Sequence, residues 1–291
     1  MNKRSVFKHN IIALCYDFDG TLSRHNMQED TIFKEYGIRP LKFWKEVNLL
    51  AKREGYDKTL AYLNKLIYDP VFQKKPLTEA RLLGMAHRIK YYPGVESFFP
   101  MINRFVEREA KRLGIKVKLE HYIISSGMKA ILNGVSIKRY FHEIYACEYE
   151  YSKDGQPKCV KMAINETNKT QFLFRINKGY LRLDQDINSH MPEEKRRIPF
   201  QNIVYIGDGN SDVPCMAVTI KNGGHAIAVY PPERKAQKKH LGLLRAKRVD
   251  HIAPANFKKG SEFAGILELT LKTIIQNIQF NHSVYEQSRE S

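Results

Sequence analysis

At 291 residues and 43% hydrophobic content the chain can form one large domain with a subsidiary one, and its 27% of charged residues is ordinary for a soluble protein. No apolar run approaches the roughly 18 to 20 residues that a membrane-spanning helix needs, and the four cysteines form no C-x-x-C pair or Cys/His metal pattern. A net charge of +17 favours anionic ligands without informing the fold.

The amino terminus carries basic residues and then a short apolar stretch. Asp17 and Asp19 stand where the cleavage site of an export signal would follow, so the stretch reads as a first strand, residues 11–16. With the cysteine usage, this points to a reduced, cytoplasmic setting. The strand runs into Asp17-Phe18-Asp19-Gly20-Thr21-Leu22. Residues 24–90 then read as a helical block: Phe43, Trp44, Val47, Leu50 and Ala51 share one stripe, Leu60, Leu63 and Ile67 a second, and Ala80, Leu83, Ala86 and Ile89 a third. Pro93-Gly94 is a turn before a helix over 95–113 that stops at Gly114, and Pro100 is expected to kink or split it.

An apolar strand at 122–124 ends in Ser125-Ser126-Gly127, and residues 144–162 suggest a hairpin turning at Asp154-Gly155. Thr167-Asn168-Lys169-Thr170 opens a helical pattern over 171–176, and residues 180–199 form a polar surface excursion. A strand at 203–206 leads into Gly207-Asp208-Gly209-Asn210-Ser211-Asp212, and further strands occupy 226–230 and 249–252. Residues 231–259 hold nine Lys or Arg against Glu233 and Asp250. A solvated face is the plain reading, and a nucleic-acid or other anionic surface is the alternative. A last helix from 263 to about 278 precedes a polar tail expected to be loose. Apolar strands alternating with helices indicate an α/β, three-layer doubly wound parallel sheet.

Four stretches carry candidate chemistry. Two carboxylates one residue apart at a strand end, Asp17 and Asp19, repel each other unless a cation or shared proton compensates, and a hard divalent cation suits oxygen ligands. Gly20 allows the sharp turn. Asp208 and Asp212 follow another strand end; an EF-hand is rejected because its helix–loop–helix setting and distal Glu are missing. A hydroxyl and backbone N–H groups at Ser125 and Ser126 can hold a phosphoryl oxygen. Lys169 at a helix start opposes the helix dipole and so needs an explanation. Each stretch alone has an ordinary structural alternative: an acidic turn, a small-residue strand end, or a surface lysine.

In order and setting the four together resemble the motifs of the haloacid dehalogenase superfamily. The resemblance implies that Asp17 is a nucleophile that becomes phosphorylated and Asp19 a general acid/base. Ser125 and Ser126 bind the phosphoryl group, and Lys169 balances charge, with Lys158 and Lys161 as rivals. Asp17 and Asp208 hold Mg²⁺ with the Asp19 backbone carbonyl as a further ligand, Asp212 completes the site, and Gly20 and Thr21 support it. Asp at the second position looks like phosphatases and phosphomutases rather than P-type ATPases or dehalogenases.

In this chain 108 residues separate Asp17 from Ser125 and 44 separate Ser125 from Lys169. That resembles members with a helical cap inserted after the first motif, as in phosphoserine phosphatases. The expected division is a core of residues 1–23 and 91–291 and a cap of 24–90, with Arg24, His25, Arg39 and Arg53 as possible substrate contacts. The expected activity is Mg²⁺-dependent hydrolysis of a small phosphorylated metabolite, with no membrane partner. The alternatives are a phosphomutase, or a non-catalytic nucleic-acid-binding protein on the same fold.

Overall fold

The computed structural model describes residues 7–290 except Asn210 and Glu233. Asn210 of the fourth motif, Glu233 of the basic segment, and the side chains of Arg234, Lys235 and Lys239 therefore lie outside the described residues. The unbroken apolar run Ile11–Tyr16 forms β1. The helical insertion follows as α1 (Met27–Asp30), α2 (Ile32–Tyr36), α3 (Pro40–Glu54), α4 (Lys58–Tyr68), α5 (Pro70–Lys74) and α6 (Glu79–Met85). Its entry and exit strands meet at Ser23 and Tyr91, and the Arg24 N–H donates to the Lys90 carbonyl at 2.9 Å.

The chain continues through α7 (Val95–Arg112), β2 (Lys118–Met128), α8 (Lys129–Leu132), β3 (Phe141–Tyr151), β4 (Pro157–Met162) and α9 (Thr170–Lys178). It ends with β5 (Ile203–Gly207), α10 (Val213–Lys221), β6 (His225–Tyr230), α11 (Arg234–Arg245), β7 (His251–Pro254) and α12 (Glu262–Glu290). Among the described residues no helix is long and apolar enough to cross a membrane.

The seven strands lie in the order β4-β3-β2-β1-β5-β6-β7, all parallel except β4. Helices flank the sheet, α7 packing with α12 and α9 with α10, so the central strands are buried and need apolar side chains at nearly every position. The chain builds outward from β1 on one side through β2 and β3, and on the other through β5 to β7. The strand order therefore reverses beside β1, where open α/β sheets bind ligands beyond their carboxyl ends.

Several sequence expectations need correction. Residues 141–151 are more than a hairpin arm: β3 pairs in parallel with β2 before it turns back through Gly155 into β4. In α4 the buried face is Thr59, Tyr62, Leu63, Leu66 and Ile67, which leaves Leu60 exposed. Likewise α6 buries Leu82 and Met85 and exposes Ala80 and Leu83, so that the buried stripe runs through Leu82, Met85, Ala86 and Ile89 instead. α7 runs through Pro100 without being split. The tail beyond residue 278 is helical, with the Phe7 ring 5.2 Å from His282 and 5.8 Å from Tyr285.

The polar stretch 180–199 contains only one short 3-10 turn, Glu193–Lys195. Three cations hold it. Arg175 donates to the carbonyl of Arg182 at 2.7 Å, Lys178 to that of Ile187 at 2.6 Å, and Arg197 grips the buried Glu120 with both terminal nitrogens at 2.7 and 2.6 Å. Burial works against the Glu120 carboxylate, but Arg197 leads the hydrogen bonds that hold it down at about 2.

Candidate active site

Register brings the motif residues together. Tyr16 lies opposite Ile206 on β5 and opposite Ile123 on β2. The ladder continues one step, the Asp17 N–H donating to the Ile206 carbonyl at 2.9 Å. Asp17, the Gly207-Asp208 turn and the Ser125 end of β2 are therefore at one level of the sheet. Gly20 takes the left-handed φ of +76°, and a Cβ there would stand 2.8 Å from Asp208 Oδ2, so only glycine lets the two loops approach.

One oxygen from each of Asp17, Asp208 and Asp212 lies within 4.8 Å of the others. The Lys169 side chain is fully buried, with Nζ 3.0 Å from Asp17 Oδ1 and 2.8 Å from Asp212 Oδ1. The ammonium at a helix start is thus explained by two carboxylates rather than by the helix dipole. Asp212 is occupied on both oxygens: Oδ1 also accepts from Tyr205 at 2.8 Å, and Oδ2 accepts the Asp208 N–H at 3.1 Å. The loop ahead of Lys169 is pinned by Asn168, which accepts from the Asn165 N–H at 2.8 Å and donates to the Ala163 carbonyl at 2.9 Å. The rivals Lys158 and Lys161 lie on β4 and pair with Glu150 at 2.9 Å and Glu148 at 3.7 Å.

Burial, and next the Asp212 carboxylate, push the Asp17 carboxyl well above its ordinary range, against the pull of Lys169. Burial also works against the Lys169 ammonium, but Asp17 and Asp212 outweigh it and hold its pKa well above the usual lysine value. Three clustered carboxylates, two of them paired with one ammonium, form an all-oxygen donor set with surplus negative charge, which fits a hard divalent cation.

Asp19 stands apart from this cluster. Its Oδ1 accepts the Met27 N–H at 2.8 Å and the Ser23 hydroxyl at 3.3 Å. Burial raises its carboxyl to about 7, the two hydrogen bonds opposing. Ser125 Oγ accepts the Gly127 N–H at 3.0 Å, which leaves its own proton to donate. Thr21 is buried with no partner for its hydroxyl oxygen.

A cavity of about 340 Å³ opens over Asp17, Asp19, Ser125, Ser126 and Asp208, and α1, α3 and α4 supply its opposite wall. Arg24, His25, Arg39 and Arg53 do not line it. Arg24 donates to the Tyr91 carbonyl at 3.1 Å, His25 lies 3.3 Å from Asp30, and Arg39 and Arg53 point into solvent. Gln28, Trp44, Lys58 and Tyr62 form the wall instead. Sequence reasoning also missed His240, whose Nε2 lies 2.6 Å from the Asp208 carbonyl oxygen, and Tyr205, a polar ring inside an apolar strand. That ring was the available signal for Tyr205; His240 sat unmarked within a basic stretch. A larger cavity of about 520 Å³ lies elsewhere, between α4, α8 and the β3–β4 hairpin, and contains none of the motif residues.

The chain is 32% identical over 289 aligned positions to an uncharacterized protein of Borreliella burgdorferi, covering 90% of this chain and 95% of that one. Among solved structures, a haloacid dehalogenase family hydrolase of Salmonella enterica serovar Typhi superposes with a TM-score of 0.58 at 17% identity, over 91% of this chain and 72% of that one. A substrate-bound phosphoserine phosphatase gives 0.52 at 17%, over 89% and 97%. Both likenesses concern the fold. The family model described as haloacid dehalogenase-like hydrolase matches residues 14–217, which span all four motifs, and the chain belongs to that hydrolase family.

Proposed function

We propose that the protein is a Mg²⁺-dependent phosphatase that hydrolyses a small phosphorylated metabolite through a phosphoryl group carried on Asp17. The observation that carries this reading is the convergence of the Asp17, Asp208 and Asp212 carboxylates at the strand ends, two of them, Asp17 and Asp212, paired with the buried Lys169. The solved phosphoserine phosphatases that share the fold agree with it.

A carboxylate oxygen of Asp17 attacks phosphorus in line with the leaving oxygen; the new P–O bond forms as the ester P–O bond breaks. Asp19, which holds its proton up to about pH 7, delivers it to the leaving oxygen. Ionised Asp19 then takes a proton from water, which attacks the aspartyl phosphate and releases inorganic phosphate. Lys169 orients Asp17 and pulls against its protonation, which a bound cation would further oppose, while the Ser125 hydroxyl and the Ser126 amide hold the phosphoryl oxygens. Asp17 and Asp208, with the Asp19 backbone carbonyl, would hold Mg²⁺, and Asp212 fixes Lys169 and the Asp208 backbone. When bound, Mg²⁺ offsets the repulsion between the anionic nucleophile and the anionic ester.

The test is release of inorganic phosphate from p-nitrophenyl phosphate with Mg²⁺ and with a chelator, for the native protein and Asp17→Asn. Metal-dependent turnover lost in the variant is expected. Turnover that survives the substitution removes Asp17 from the mechanism. An isomerised sugar phosphate in place of free phosphate would identify a mutase.

A further inference from the structure

Asp208 sits between Gly207 and Gly209, residues of the type that loses most backbone freedom on folding. A carboxylate on such a turn has no fixed direction unless its backbone is held. Both polar backbone atoms of Asp208 are held, and by different segments. Its N–H donates to Asp212 Oδ2 at 3.1 Å. Its carbonyl oxygen lies 2.6 Å from Nε2 of His240. A carbonyl only accepts, so Nε2 is the ring nitrogen that donates.

His240 reaches this carbonyl from α11, 32 residues further along the chain. The imidazole is 6% exposed, and the Tyr230 ring at the end of β6 packs against it with centroids 5.4 Å apart. Leu243, one turn later on α11, packs on the same loop. A Cβ at Gly209, whose φ is +85°, would stand 2.6 Å from Leu243 Cδ1. The turn after β5 therefore lies directly on α11, with a buried imidazole as a polar contact between them.

The held backbone brings an oxygen of Asp208 within 4.8 Å of oxygens of Asp17 and Asp212. Carboxylates this close repel one another, and a loosely held turn would relieve the repulsion by swinging Asp208 away.

We propose that His240 is a positioning residue for Asp208: its Nε2–H holds the carbonyl so that the carboxylate stays beside Asp17, ready for a divalent cation. The inference rests on the phosphatase reading above, in which Asp17 and Asp208 share that cation, and the experiment separates the two.

Mg²⁺ binding to the native protein is measured by calorimetry with no ester present, beside thermal unfolding of the metal-free chain. His240→Phe keeps a ring against Tyr230 and Leu243 but removes the donor, and should weaken Mg²⁺ binding about tenfold or more. The Mg²⁺ concentration for half-maximal turnover of p-nitrophenyl phosphate should rise by a similar factor. His240→Gln, which returns an N–H donor the same number of bonds from the backbone, should recover most of the loss. If the phenylalanine variant does not fold, His240→Met carries the same expectation. A residue that only filled space would lower the unfolding temperature and leave the Mg²⁺ affinity alone.

Native-like Mg²⁺ affinity in the phenylalanine or methionine variant overturns the role of His240, and so does a glutamine variant as weak as either. A native protein that binds Mg²⁺ but releases no phosphate from p-nitrophenyl phosphate or O-phosphoserine overturns the phosphatase reading and leaves the His240 result standing. A native protein that binds no Mg²⁺ overturns the cation site on which both depend.

Discussion

The two walls of the cavity over the motif residues are built on opposite principles. On the sheet side two of the carboxylates are already matched: Asp212 accepts from Lys169, Tyr205 and the Asp208 backbone, and Asp19 accepts from Met27 and Ser23, although the buried Thr21 hydroxyl has no partner among the described residues. On the insertion side Gln28 keeps an unmatched buried acceptor, and Lys58 makes no ion pair among the described residues. Groups that act on the reacting phosphorus must be held in place before substrate arrives.

The walls are nevertheless tied together. Tyr62 donates to the Ser126 carbonyl at 2.5 Å and Tyr149 to the Leu63 carbonyl at 2.8 Å. Asp57, which caps α4 through the Leu60 N–H at 2.9 Å, also accepts from Asn165 at 3.0 Å, close to Lys169. Placement of the helical wall thus depends on the same segments that carry the motif residues.

Substitutions on the sheet side should break the contrast most sharply. Asp17→Asn is expected to lower kcat about ten-thousand-fold or more, measured as phosphate release, since it removes the group that forms the intermediate. Asp19→Asn should cost roughly a hundred- to ten-thousand-fold on alkyl phosphates, whose leaving oxygen needs a proton. Because burial raises Asp19 to about 7, the acid form is present below that pH and is lost above it. The kcat/KM of an alkyl ester should therefore fall as pH rises through 7, while that of p-nitrophenyl phosphate, a much better leaving group, falls less.

Lys169→Met tests the matching itself. It leaves the buried Asp17 and Asp212 carboxylates without their ammonium and should destabilise the fold by about 3 to 5 kcal/mol in denaturant titration. A variant as stable as the native chain would contradict the assigned ion pairs. The smallest effect is expected between the walls: Tyr62→Phe deletes one tether, worth about 1 kcal/mol, and should raise KM several-fold while changing kcat little. A fall in kcat as large as that of Asp19→Asn would mean that the tether acts in the chemical step.

Much of the fold was legible because its signals are local. Apolar runs ending in Asp, Ser or Gly turns at β1, β2 and β5 and at prolines at β6 and β7 marked five strands and suggested a parallel sheet, which the strand order bears out. β3 was only half visible because its alternating sequence also suits a hairpin, and its parallel pairing with β2 is a contact between distant segments. The helical tail was read as loose because the ring that packs against it, Phe7, lies at the other end of the chain.

The same division applies to the site. The sequence by itself determined the chemical types, four aspartates, two serines and a lysine, each at a strand end or helix start, because those turns are encoded by neighbouring residues. Only the tertiary structure decided which atoms meet: that Lys169 rather than Lys158 or Lys161 reaches Asp17, and that Asp212 binds both Lys169 and the Asp208 backbone. It also decided that Gln28, Trp44 and Lys58 face the cavity while Arg24, His25, Arg39 and Arg53 do not. Charge marked the four latter residues, but the direction a helical side chain points is set by how its helix docks on the sheet, a long-range packing property that local sequence does not carry.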